Sequence, residues 1–133
     1  MPLRRHPRLV LAVWVVYWCL LFIATHVPMP EGPHLIRHAD KIEHVVAYFI
    51  LALLGGWSIS VRKELAGGAP GATAPRRALW CWALVYVLYG IVDELLQSLV
   101  GRSMTLGDWL ADVFGVTSAT LLLVRLGGRN YRN

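Results

Sequence analysis

Five of the eight acidic residues in this 133-residue chain fall in three groups: Asp40, the pair Asp93 and Glu94, and Asp108 with Asp112. Asp40 is followed by Lys41, His44 and Tyr48, and the Asp93 pair by Gln97 and Arg102. The spacing is helical. Asp40, His44 and Tyr48 are four residues apart and share one face; Tyr86, Gly90, Asp93 and Gln97 share another; Asp108, Asp112 and Gly115 share a third. Adjacent Asp93 and Glu94 differ by ~100° around a helix, so one of the two is expected to face the other groups. These residue types suit two kinds of chemistry. An imidazole beside a carboxylate is an acid–base pair, which makes His44, Asp93 and Glu94 the candidate catalytic residues. Lys41 and Arg102 can meet anionic groups, while carboxylates and Gln97 can meet amines, hydroxyls or amides. The candidate ligand-binding set is therefore Asp40, Lys41, His44, Tyr48, Asp93, Glu94, Gln97, Arg102, Asp108 and Asp112. No metal ion or cofactor is assigned to it. The chain has no HExxH or GxSxG motif, and Ser103 is the sole serine near Arg102.

Purely structural roles compete with these. Asp40, Lys41 and Arg102 can be interfacial ion pairs. His44 can be held by Asp93 or Asp108, tying helices together. Tyr48, Tyr86 and Tyr89 can be packing residues with satisfied hydroxyls. His26, His34 and His38 read as loop residues.

The elements that carry these residues are apolar. Hydrophobic residues make up 56% of the chain and charged residues 16%, with a mean hydropathy of +0.52. This disfavours a disordered chain, a coiled coil or an ordinary soluble enzyme. Four apolar runs, about 9–27, 42–61, 78–100 and 106–126, each hold roughly 19–23 residues, enough to cross ~30 Å of hydrocarbon as helices. They lack strand alternation. The expected fold is all-α: a polytopic membrane protein with four transmembrane helices, forming one domain over residues 1–133. The first run is expected to stay as a span, since Thr25, His26, Val27 and Pro28 make a poor signal-cleavage site. Small residues at Ala52, Gly55, Gly90, Ala111, Gly115 and Ala119 predict close helix contacts. Cys19 and Cys81 are expected to be small buried hydrophobes rather than a disulfide or metal pair.

Charge predicts orientation. Arg4, Arg5, Arg8, Arg62, Lys63, Arg76, Arg77, Arg125, Arg129 and Arg132 fall on one side of the four spans, and Arg37, Lys41 and Arg102 on the other. The positive-inside rule then puts both termini in the cytoplasm and gathers the acidic helix ends at the outer face. The basic pI of 9.7 thus encodes topology, and no basic patch remains to suggest nucleic acid. Trp57, Trp80 and Trp82 are expected near the inner boundary and Trp109 near the outer one. At the outer face five acids meet Lys41, Arg102 and His44. Protonation, water or a bound cation or ligand must resolve the excess negative charge.

The ordered set Asp40-Lys41-x-x-His44-x-x-x-Tyr48, Asp93-Glu94-x-x-Gln97, Gly101-Arg102, Asp108 and Gly115 resembles the VanZ-like family, over nearly the whole chain. The resemblance implies a small integral membrane protein. The founding member is associated with low-level resistance to the glycopeptide teicoplanin; many members sit outside resistance settings, so resistance itself is not implied. The chain departs from the family at Asp112, where members often carry Asn. An ionised Asp only accepts hydrogen bonds, whereas Asn also donates.

The functional expectation is a cell-envelope protein of the bacterial plasma membrane. Its outward polar pocket would bind a lipid headgroup, cell-wall precursor or glycopeptide-like molecule, with the lipid bilayer and further copies of itself as other partners. The alternative is a membrane enzyme acting on a lipid-linked substrate by acid–base or metal-assisted chemistry. A proton-coupled permease ranks last, because the polar groups lie at one depth and leave the inner half without a path.

Overall fold

Residues 7–27, 39–68, 72–101 and 105–129 are described by a computed structural model. They form four helices, α1 (Pro7–His26), α2 (Ala39–Leu65), α3 (Arg76–Leu99) and α4 (Leu106–Arg129), with no strand among the described residues. Each is long and apolar enough to cross a membrane. The chain is thus an all-helical protein of the integral-membrane type. Arg4, Arg5, His34, Arg37, His38, Arg102, Ser103 and Arg132 lie outside the described residues.

Local chemistry sets the helix ends. α1 opens on Pro7, where a missing N–H costs nothing. α2 runs past the expected 42–61 at both ends. Asp40 stands in its first turn and Arg62 and Lys63 in its last, charges that complement the helix dipole. Arg62 and Lys63 are therefore helical rather than part of a linker, and Arg76 and Arg77 open α3. α3 closes where Val100 N–H bonds Gln97 O (3.1 Å), and Gly101 follows at φ +81°, a left-handed conformation that glycine adopts without strain. Thr105 caps α4, its Oγ1 accepting Asp108 N–H at 3.1 Å.

Contacts at the ends give the topology. Thr25, late in α1, reaches Asp93, late in α3 (3.1 Å). His44, early in α2, meets Asp112, early in α4 (2.8 Å). At the opposite end Ala74 N–H, just before α3, bonds Ser60 Oγ of α2 (3.0 Å). The helices thus alternate in direction, and the polar ends of all four collect at one end of the bundle. α2 and α4 make the most extensive contact.

The core between them is sealed by small residues below and aromatics above. At Gly115 the backbone of α4 lies against Val45 O and Phe49 N of α2, so closely that a Cβ there would overlap the carbonyl. Gly55 sits beneath the Tyr86 hydroxyl. α1 joins through rings: Trp14 Nε1–H donates to Tyr86 OH (3.1 Å) and stands edge-on to Trp82 at 5.5 Å, while Trp18 meets Tyr89 edge-on at 5.2 Å. Tyr17 OH donates to Ala47 O of α2 (3.0 Å).

Trp82 packs against this aromatic core, and Trp109 donates Nε1–H to Val87 O (3.2 Å), so both serve helix packing, while Trp80 is exposed. One expectation needs correcting. Cys19 and Cys81 are exposed, not buried, because they lie on the outward faces of α1 and α3 among residues such as Leu20, Ile23, Leu84 and Leu88. A small apolar side chain does not need a protein interior when lipid supplies the apolar phase.

The α2–α4 contact makes a direct prediction. Gly115→Ala places a methyl against rigid backbone and is expected to cost about 1–3 kcal/mol of stability. Gly56→Ala meets only the flexible side-chain ends of Leu123 and Leu79 and should cost less. Thermal unfolding of the two variants in detergent, followed by circular dichroism, checks the order.

Candidate functional site

The close approach at Gly115 positions the polar cluster. One turn earlier on the same face of α4 stands Asp112, and next to Val45 on α2 stands His44. Their side chains meet, His44 Nδ1 to Asp112 Oδ1, at 2.8 Å. A carboxylate can only accept, so Nδ1 carries the proton and Nε2 is left as the imidazole's second functional atom. Asp112 is 1% exposed, and its other oxygen fits beside Gly90 of α3, whose missing side chain makes room for it and for the Tyr48 ring.

A turn nearer the bundle end, Lys41 Nζ bridges Asp108 Oδ1 (2.9 Å) and Asp40 Oδ2 (3.3 Å). Thr105 Oγ1–H donates to Asp108 Oδ2 (2.5 Å), completing a reciprocal cap at the start of α4. In a capping box the N3 side chain would also accept the N-cap N–H. Here Glu94 of α3 does so: Thr105 N–H bonds Glu94 Oε2 at 3.2 Å. Glu94 is 2% exposed, and its Oε1 is buried with no hydrogen-bond partner among the described residues. One ligating atom each from His44, Glu94 and Asp108 lie within 4.8 Å of one another.

Asp93 and Gln97 form a separate network with α1. Asp93 Oδ1 accepts Thr25 Oγ1–H (3.1 Å) and Tyr89 OH (3.2 Å), and Oδ2 accepts Gln97 Nε2–H (2.8 Å). His26 Nδ1 stands 3.8 Å from Asp93 and stacks on Phe22. Asp93, at 1% exposure, is thus enclosed by donors and clamps α1 to α3.

The sequence-predicted residues therefore divide. Lys41, His44, Glu94, Asp108 and Asp112 come together, with Asp40 beside Lys41. Asp93 and Gln97 belong to the second network, as the ~100° offset between Asp93 and Glu94 requires. Both acids are nevertheless buried. Tyr48 lies between the two networks, fully buried, with its ring 6.1 Å from that of Tyr89. Its hydroxyl has no partner among the described residues, unlike those of Tyr86 and Tyr89. Arg102 lies outside the described residues. The partner of His44 is Asp112, not Asp93 or Asp108. His26 is helical and sits against the site rather than in a loop, and its Nε2 is buried without a partner. Sequence reasoning missed Thr25 and Thr105, and it read Tyr89 as a packing residue with a satisfied hydroxyl without naming Asp93 as the partner. The spacing Thr105-x-x-Asp108 is a capping-box signal that points to Thr105; Tyr89 lies four residues before Asp93; nothing in the sequence singles out Thr25.

A groove of about 430 Å³ opens at the other end of the bundle, lined by Lys63, Thr73, Arg76, Gly127 and neighbours, far from the polar cluster. No known family profile, curated protein or solved structure matches the chain.

The Asp93 network gives a prediction that separates packing from ligand binding. Thr25→Val and Asp93→Asn are expected to destabilise the bundle non-additively, with a coupling of about 0.6–1.7 kcal/mol, the range for hydrogen bonds between membrane helices. A double-mutant cycle by chemical unfolding in mixed micelles measures it.

Proposed function

We propose that this chain is a VanZ-like protein of the bacterial plasma membrane, with both termini cytoplasmic, and that its outward polar cluster binds the polar part of an envelope molecule. Candidates are a lipid headgroup, a lipid-linked cell-wall precursor or a glycopeptide. The observation that carries the reading is the unmatched polarity of the cluster. Glu94 Oε1 and Tyr48 OH are buried with no partner, at the end of the bundle where Lys41, His44, Asp108 and Asp112 converge. A buried polar atom without a hydrogen bond costs roughly 1–3 kcal/mol, a cost that a bound ligand offsets. The orientation rests on the distribution of Lys and Arg.

Two experiments test it. Alkaline phosphatase fused after Gly101 is expected to be active, and fused at the C-terminus inactive; the reverse pattern overturns the orientation. Fluorescently labelled teicoplanin and a labelled lipid-linked cell-wall precursor are offered to the chain in nanodiscs. Binding of one probe should weaken at least tenfold in His44→Ala, Glu94→Gln and Arg102→Ala, and stay unchanged in Cys81→Ala. Binding of neither probe, or equal binding by all variants, overturns the ligand reading.

The His44–Asp112 pair also favours a second reading, a membrane enzyme in which a carboxylate-oriented imidazole moves a proton through Nε2. Turnover of the lipid-linked precursor by the wild type, abolished in His44→Ala, would establish it.

A further inference from the structure

We propose that His44, Glu94 and Asp108 form a binding site for a divalent transition-metal cation, of the zinc class. This rests on the reading that the cluster is a binding site, but not on which envelope molecule it meets. The three residues come from α2, α3 and α4, and each offers one ligating atom within 4.8 Å of the others. Donors around tetrahedral zinc stand about 3.4 Å apart, which small side-chain rotations reach from this arrangement. One imidazole nitrogen with two carboxylate oxygens and no thiolate suits zinc, manganese or ferrous iron.

Independent features point to the same ion. Glu94 is 2% exposed, its Oε2 is engaged by Thr105 N–H, and its Oε1 has no partner among the described residues. An orphaned carboxylate oxygen in a buried cluster is a ligand atom without its cation. His44 is held through Nδ1 by Asp112, the carboxylate–histidine arrangement that orients an imidazole toward a metal on its other nitrogen. Asp108 is fixed by Lys41 and Thr105, and its oxygens retain lone pairs beyond those bonds. Charge agrees. Glu94, Asp108 and Asp112 are three acids beside one lysine, Lys41, and the imidazole of His44, and a divalent cation offsets the excess negative charge. Three protein ligands leave coordination positions open for water or for a phosphate or carboxylate oxygen of a ligand.

The test uses the full chain in detergent, stripped with chelator, loaded with zinc and dialysed against metal-free buffer. One zinc per chain is expected by elemental analysis, with cobalt giving the visible absorption of a low-symmetry site. His44→Ala and Glu94→Gln should lose at least nine-tenths of the metal, and His26→Ala should retain it. Glu94→Gln keeps the shape of the side chain and an acceptor for Thr105 N–H, so its loss of metal reports ligation rather than unfolding. Asp112→Asn should keep the site with affinity weakened about 10–100-fold. Failure of the wild type to hold zinc or cobalt, or equal retention by Glu94→Gln, overturns the proposal. Probe binding that survives chelator unchanged, together with no metal in the wild type, overturns the metal site alone. Stoichiometric metal with no probe bound overturns only the envelope ligand.

Discussion

At Gly115 the absence of a side chain lets α4 rest on the backbone of α2 at Val45 and Phe49. That contact sets the axial offset of the two helices, and most of the polar architecture follows from it. Asp112 stands one turn earlier on the face of Gly115, and His44 precedes Val45, so the contact brings the two side chains to 2.8 Å. One further turn carries Asp108 to Lys41 at 2.9 Å. A wider spacing between the helices would pull both pairs apart, leaving Asp112, 1% exposed, without its partner. Breaking a buried pair costs more than the pair contributes, because the surviving charge stays buried. The glycine therefore governs the electrostatics of this end without carrying a charge.

The two polar networks do different things with the same residue types. Around Asp93, donors from α1 and α3 occupy both oxygens, and the network is closed. Such a network holds helices together where the hydrophobic effect between them is absent, since lipid tails are as apolar as leucine. Around Glu94 the network is open. Lys41, Thr105 and His44 satisfy Asp108 and Asp112, yet one oxygen of Glu94 is left over. Adjacent positions on one helix thus carry a structural carboxylate and an available one. The ~100° step between neighbouring residues is enough to separate them.

Helical faces were legible in the sequence, and their partners were not. The spacing of Asp40, His44 and Tyr48, and of Asp108, Asp112 and Gly115, marks the correct faces because a four-residue step returns to the same side of a helix. Whether His44 meets Asp93, Asp108 or Asp112 depends on the offset between α2 and α4, which a backbone contact determines and no spacing within one helix encodes. The extra length of α2 was hidden because Asp40, Arg62 and Lys63 lower the local hydropathy while suiting the helix dipole. His26 looked like loop beside Pro28, yet a proline one or two residues past a helix end is ordinary in sequence, and α1 includes His26 as its last residue. The exposed cysteines show the limit of a buried-or-polar rule when the surroundings are lipid.

Helix direction explains why acids collect at one end. α2 and α4 both begin there, and each N-terminus carries about half a positive charge from its unpaired N–H groups. Asp40 and Asp108 stand in those first turns. Glu94 does not share this advantage on its own helix, since it lies toward the C-terminal end of α3, where the dipole is negative. Its carboxylate instead reaches the start of α4, where Thr105 N–H holds Oε2. The acid is thereby moved from an unfavourable dipole to a favourable one, by a single hydrogen bond between helices. That bond uses one oxygen, leaving Oε1 buried and unbonded in a carboxylate that clusters with His44 and Asp108. Helix capping, ion pairing and packing account for the neighbouring polar groups, but among the described residues none of the three supplies this oxygen with a positive partner.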